Sequence, residues 1–94
     1  MYKTILVYDI NTEDKAGKKR LDRIKKAARK YLHHIQKSVF EGEITHKKLQ
    51  LLKRDILNII DPKKDDVIIY TTTYPDQLQK EMLTETADKT SYII

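Results

Sequence analysis

Ile35-Gln36-Lys37-Ser38-Val39-Phe40-Glu41-Gly42-Glu43-Ile44 is the stretch on which the fold turns. Val39, Glu41 and Glu43 alternate with Phe40, Gly42 and Ile44, the period of two that a strand imposes on its side chains. The alternation falters near Ser38, so the stretch predicts two short strands or one strand bent there. It lies between two segments of helical period. Upstream, from Lys18, Leu21, Ile24, Ala28 and Tyr31 recur at spacings of three and four, with Gly17 marking the expected start of the helix. Downstream, Thr45 offers a capping hydroxyl, and Leu49, Leu52, Ile56 and Ile59 or Ile60 form a second apolar stripe. Asp61-Pro62 closes that helix, because proline cannot continue the hydrogen-bond ladder.

Two further runs flank this centre. Ile5-Leu6-Val7-Tyr8 is almost continuously apolar, as in a strand covered on both edges. Val67-Ile68-Ile69-Tyr70 reads the same way. The order is therefore strand, helix, double strand, helix, strand, which is the α+β, ferredoxin-like βαββαβ pattern. It predicts one antiparallel sheet with both helices on one face. The other face would carry uncovered aliphatic side chains, so a homodimer through the open sheet face is expected. Ninety-four residues make one domain, 1–94, with a modest core that a partner subunit would supplement. Residues 71–94 read as a C-terminal extension. Thr71-Thr72-Thr73 prolong the last strand, Pro75 breaks it, and Gln77 to Glu85 shows weak helical spacing through Leu78 and Met82. Ser91-Tyr92-Ile93-Ile94 is an apolar tip suited to a sheet edge.

Composition narrows the chemistry. The chain has no cysteine, which excludes disulfides and thiolate metal sites. The N-terminal apolar run is too short for a signal peptide or a membrane span, so a cytoplasmic protein is expected, with no membrane partner. The net charge is +5, and it is unevenly spread. Lys15 to Lys30 holds nine basic residues against Asp22 alone, a local excess of +8 that leaves −3 for the remainder. Such concentration favours an anionic partner docked on one helix; a solubilising helix face is the plainer explanation.

There is no Gly-rich phosphate loop, nucleophile elbow or HExxH motif. His33 and His34 are adjacent and would point to opposite faces of a strand, while His46 falls in a first helical turn; none has ligand spacing. Asp61, Asp65 and Asp66 are explained by turn chemistry beside Pro62. Glu41 and Glu43 share a strand face, for which an exposed edge suffices. Asp9 stands apart because it ends a buried strand and leads into the basic helix. One aspartate, which also suits a turn, is a poor magnesium site. A two-fold dimer supplies it twice, and the pair could hold one metal ion at the axis.

Val7-Tyr8-Asp9-Ile10, the Ile35 to Glu43 segment with Ser38-Val39-Phe40-Glu41-Gly42 at its heart, and Ile60-Asp61-Pro62 together resemble CRISPR-associated protein 2, over roughly residues 2 to 70. The resemblance implies a ferredoxin-like homodimer in which Asp9 is the shared metal ligand and catalytic residue, with magnesium or manganese. It implies endonuclease activity on RNA or DNA. It also implies a scaffolding role beside the CRISPR-associated protein 1 integrase in spacer acquisition, with double-stranded DNA and single-stranded RNA as nucleic-acid partners. Lys18, Lys19, Arg20, Arg23 and Lys37 fall at nucleic-acid-contacting positions, Tyr8 and Phe40 at the dimer cleft, and Tyr92, Ile93 and Ile94 at a docking strand. His34 stands where the family often has a basic residue. Two functions of different class follow: a binding scaffold that needs only shape and charge, and a hydrolase that needs Asp9. A ribonuclease-like toxin of the same fold is the alternative to both.

Overall fold

The computed structural model describes residues 1–74 and 78–85. The chain runs β1 (Tyr2–Asp9), α1 (Lys15–Arg29), β2 (His33–Gln36), β3 (Val39–Ile44), α2 (His46–Leu57) and β4 (Asp66–Thr72). The strands form one sheet of order β2-β3-β1-β4, and every pairing is antiparallel. The expected α+β, ferredoxin-like arrangement is therefore present, with the apolar β1 at the sheet centre. The decisive stretch divides into β2 and β3 at Lys37-Ser38, and the register slips between His34 and Gln36. Tyr8 anchors that turn. Its backbone N–H donates to the Ser38 carbonyl at 3.1 Å and its hydroxyl to the Lys37 carbonyl at 2.8 Å.

Strand alternation divides the side chains cleanly. Leu6 and Tyr8 of β1, Phe40 and Ile44 of β3, and Val67 and Ile69 of β4 pack with Ile24 and Ala28 of α1 and Leu49, Leu52 and Ile56 of α2. Phe40, Leu6, Ile24 and Leu52 are fully buried, each burial worth about 1.5–3 kcal/mol. Tyr8 and Phe40 thus lie beneath the helices, not in a cleft on the open sheet face. They share that side with Leu6, from which Tyr8 is two residues away and to which Phe40 is the register partner.

The helix ends depart from expectation. α1 begins at Lys15, where the Asp14 carboxylate caps it by accepting from the Gly17 N–H at 2.8 Å. Gly17 is needed inside the first turn because a Cβ there would stand 1.9 Å from the Asn11 carbonyl oxygen. α2 ends at Leu57 with Asn58 as its cap, before Pro62. Thr71 and Thr72 extend β4 as expected, whereas residues 78–85 contain no helix. Pro75, Gln77 and the Ser91 to Ile94 tip lie outside the described residues.

The opposite sheet face carries Ile5, Val7, Val39, Glu41, Ile68 and Tyr70, by strand parity. Residues 78–82 share a cavity with Lys3, Ile5, Ile35, Val39 and Glu41, so this segment covers the β3 side. Glu41 is consequently no edge residue. It is 5% exposed on an internal strand, and its two oxygens each accept from Lys80 Nζ at 3.1 Å, with Lys3 Nζ 3.5 Å away. On the β4 side Ile68 and Tyr70 remain 49% and 57% exposed. No helix among the described residues is long and apolar enough to cross a membrane.

Candidate metal and nucleic-acid sites

Asp9 ends β1 exposed to solvent, directly opposite Asp66, the first residue of β4. The two acids line a shallow cavity of about 290 Å³ with Asn11, Thr12, Glu13 and Lys64. Like charges placed opposite each other across a ladder oppose folding modestly. Among the described residues neither Asp9 nor Asp66 has a salt-bridge partner within 4.0 Å. Two carboxylates suit a hard cation, which takes oxygen ligands and retains waters. The described residues contain no cluster of three metal-binding side chains, so one chain offers only part of a coordination shell. Asp66 was hidden in the sequence because it reads as a turn residue, and only the register sets it against Asp9.

A buried ion pair holds this end of the sheet. The Asp65 carboxylate accepts from Arg20 Nε at 2.7 Å and Arg20 Nη2 at 3.1 Å. It also accepts from the backbone N–H groups of Asn11 at 3.0 Å and Asp61 at 2.9 Å. The Arg20 hydrogen bonds hold the Asp65 carboxyl below the ordinary aspartate range, burial opposing them, and the same bonds raise Arg20. Arg20 therefore points inward to Asp65 and the Asn11 carbonyl, apart from the outward-facing cations of α1. Asp65 is also more than a turn residue, since it joins α1 to the loops that follow β1 and precede β4. Its partner lies 45 positions away, a link that local pattern does not reveal.

Lys18, Lys19, Arg23 and Lys37 are exposed. Lys19 and Arg23, four residues apart, share one flank of α1, and Lys18 points away from it. Arg23 borders a groove with Asp55 and Asn58 of the α2 end. His34 stacks on Phe40 with ring centroids 4.3 Å apart, and its Nε2 lies 3.3 Å from the Lys37 carbonyl. His33 is exposed, and His46 packs 5.6 Å from the Tyr2 ring. Burial pushes the Tyr8 hydroxyl above its ordinary pKa, with the charge of Arg29 opposing. The docking residues Tyr92, Ile93 and Ile94 lie outside the described residues.

The fold and its charge define a small ferredoxin-like protein with a basic helix and an acidic sheet end. The sequence profile described as CRISPR associated protein Cas2 matches residues 1–80, and the chain belongs to that family. It is 56% identical over 86 residues to a protein of Moorella thermoacetica named CRISPR-associated endoribonuclease Cas2 2, an overlap spanning 92% of this chain and 94% of the relative. It is 45% identical over 76 residues to the CRISPR-associated endoribonuclease Cas2 of Dictyoglomus turgidum, covering 78% of this chain and 80% of that protein. The crystal structure of Streptococcus pyogenes Cas2 superposes with a TM-score of 0.70 at 31% identity, over 87% of this chain and 100% of that one.

Proposed function

We propose that this protein is a homodimeric, nucleic-acid-binding scaffold of CRISPR adaptation that docks the CRISPR-associated protein 1 integrase. A magnesium-dependent phosphodiesterase centre at Asp9 is its secondary capability. The observation that carries the reading is the disposition of α1. Its apolar stripe is consumed by the core, while Lys18, Lys19 and Arg23 face outward within a segment of local charge +8. Such a helix neutralises phosphates without sequence preference. Lys37, exposed in the β2–β3 turn, adds a further cation.

The open face supports the dimer, since Ile68 and Tyr70 are apolar and uncovered within one chain. The relatives named endoribonucleases support cleavage of RNA. Asp9 and Asp66 are the residues that would hold the metal, with a second copy supplying the same pair. Magnesium or manganese, when bound, polarises the attacking water or a phosphoryl oxygen. The Arg20–Asp65 pair keeps the neighbouring backbone in place. Among the described residues that line the cavity with Asp9 and Asp66, Lys64 is the one candidate general acid, and its Nζ lies 3.8 Å from the Asp14 carboxylate. That equipment suits slow chemistry better than fast turnover.

Asp9→Ala separates binding from cleavage. Duplex DNA affinity should stay within about twofold, because contacts to phosphates need only the α1 cations. Magnesium-dependent cleavage of single-stranded RNA should vanish. Cleavage at the wild-type rate would remove Asp9 from the chemistry, and collapse of duplex binding would defeat the scaffold reading.

A further inference from the structure

Lys26 near the end of α1 and its C-cap Lys30 are cations beyond those already assigned. Lys19, Arg23, Lys26 and Lys30 succeed one another at spacings of four, three and four, which places all four along one flank of the helix. Arg23, Lys26 and Lys30 form one wall of a groove between the helices, of about 360 Å³. Ala27 and Ile59 also line it, and Asp55 and Asn58 of the α2 end stand opposite. All three cations are exposed, and among the described residues none has a salt-bridge partner within 4.0 Å.

Asp55, the one acid among the described residues that line the groove, is already engaged. Asp55 Oδ1 accepts from Arg54 Nε at 3.4 Å and Nη2 at 3.1 Å, and its Oδ2 accepts from the Tyr31 hydroxyl at 3.1 Å. The Arg54 bonds hold its carboxyl below the ordinary range, and Lys30 adds to this from across the groove. Arg54 thus offsets Asp55, and three positive charges remain. The negative end of the α1 macrodipole offsets only about half of one charge.

Length decides the ligand. From Lys19 to Lys30 the helix rises about 16 Å. Phosphates on one strand of a duplex advance about 3.4 Å each along the duplex axis and lie farther apart along the winding strand, so the track spans more than one phosphate and fewer than about five. We infer that the groove between α1 and α2 is a phosphate-backbone track for a nucleic-acid strand, with Lys26 and Lys30 as contact residues beyond Lys19 and Arg23. This deepens the nucleic-acid reading above and rests on it. The track lies on the helix layer, so a dimer joined through the sheets would display two such tracks, facing outward on opposite sides.

The test measures duplex DNA affinity across a salt series for the full chain and two double variants. Lys26→Glu/Lys30→Glu should weaken binding about tenfold or more at low salt and lower the salt slope by about two. Lys47→Glu/Lys48→Glu makes the same charge change at the opposite end of α2. Both of its positions are exposed, and a glutamate at 48 complements the Thr45 cap. This control should lose less than about twofold. Equal losses in the two variants would reduce the effect to net charge and overturn the track. A wild-type protein that binds no duplex would overturn the scaffold reading and the track with it.

Discussion

Among the described residues four hydrogen bonds converge on the Asp65 carboxylate, whose side chain is completely buried, and two of them come from Arg20. Removing one partner of such a pair leaves the other charge desolvated, which costs more than the intact pair contributes. Asp65→Asn should therefore lower Tm by about 10 °C or more in calorimetry. An unchanged Tm would show the pair to be dispensable. The pH dependence follows from the same carboxylate. Its folded pKa lies below the unfolded value of about 3.9, so its stabilisation is complete above that pH. The stabilisation is lost as pH falls through the folded pKa, and Asp14, lowered by the Gly17 N–H, acts in the same sense. Urea midpoints should hold steady from about pH 5 to 7 and drop below about pH 4, less so in Asp65→Asn. At this scale the position of Asp9 at the end of a strand was legible, because a carboxylate ending an apolar run is a local signal. Arg20 was not, because an arginine in a basic run looks like its neighbours until its distant partner is placed beside it.

At the scale of elements, α1 shows what local pattern carries and what it leaves out. Its stripe of Leu21, Ile24 and Ala28 follows from a helical period, and the same holds for Leu49, Leu52 and Ile56 in α2. The start of α1 depends instead on the Asn11 loop crossing its first turn. That crossing gives Gly17 a backbone neighbour, so Gly17→Ala must move the loop. A loss of about 1–3 kcal/mol in denaturant unfolding is expected, as for other overpacked sites. Gly42 provides the comparison. A Cβ there would meet the Leu32 Cδ2 at 3.3 Å, a side-chain atom able to shift by tenths of an ångström. Gly42→Ala should cost less than Gly17→Ala, and the reverse order would contradict the packing described. The two β2–β3 strands were legible from the break at Ser38, but the placement of Tyr8 and Phe40 beneath the helices was not. Parity becomes readable only once the register to Leu6 is known.

For the whole molecule, the α+β, ferredoxin-like order was readable because each element carries its own period, and the four-stranded sheet follows from that order. The Asp9–Asp66 pairing and the cover of residues 78–82 depend on contacts between distant segments, which no local period encodes. That cover leaves the β4 side, with Ile68 and Tyr70, as the free apolar surface through which a second copy would dock. The account rests on a dimer, since a pair of chains doubles the basic helices and supplies the acidic sheet end twice. Sedimentation equilibrium of the wild type beside Ile68→Glu/Tyr70→Glu tests it most directly. Both side chains are exposed in one chain, so the variant should fold while losing its partner. The account predicts twice the chain mass of 11.1 kDa for the wild type and a single chain mass for the variant. A wild type at one chain mass, or a variant that remains a dimer, would contradict it.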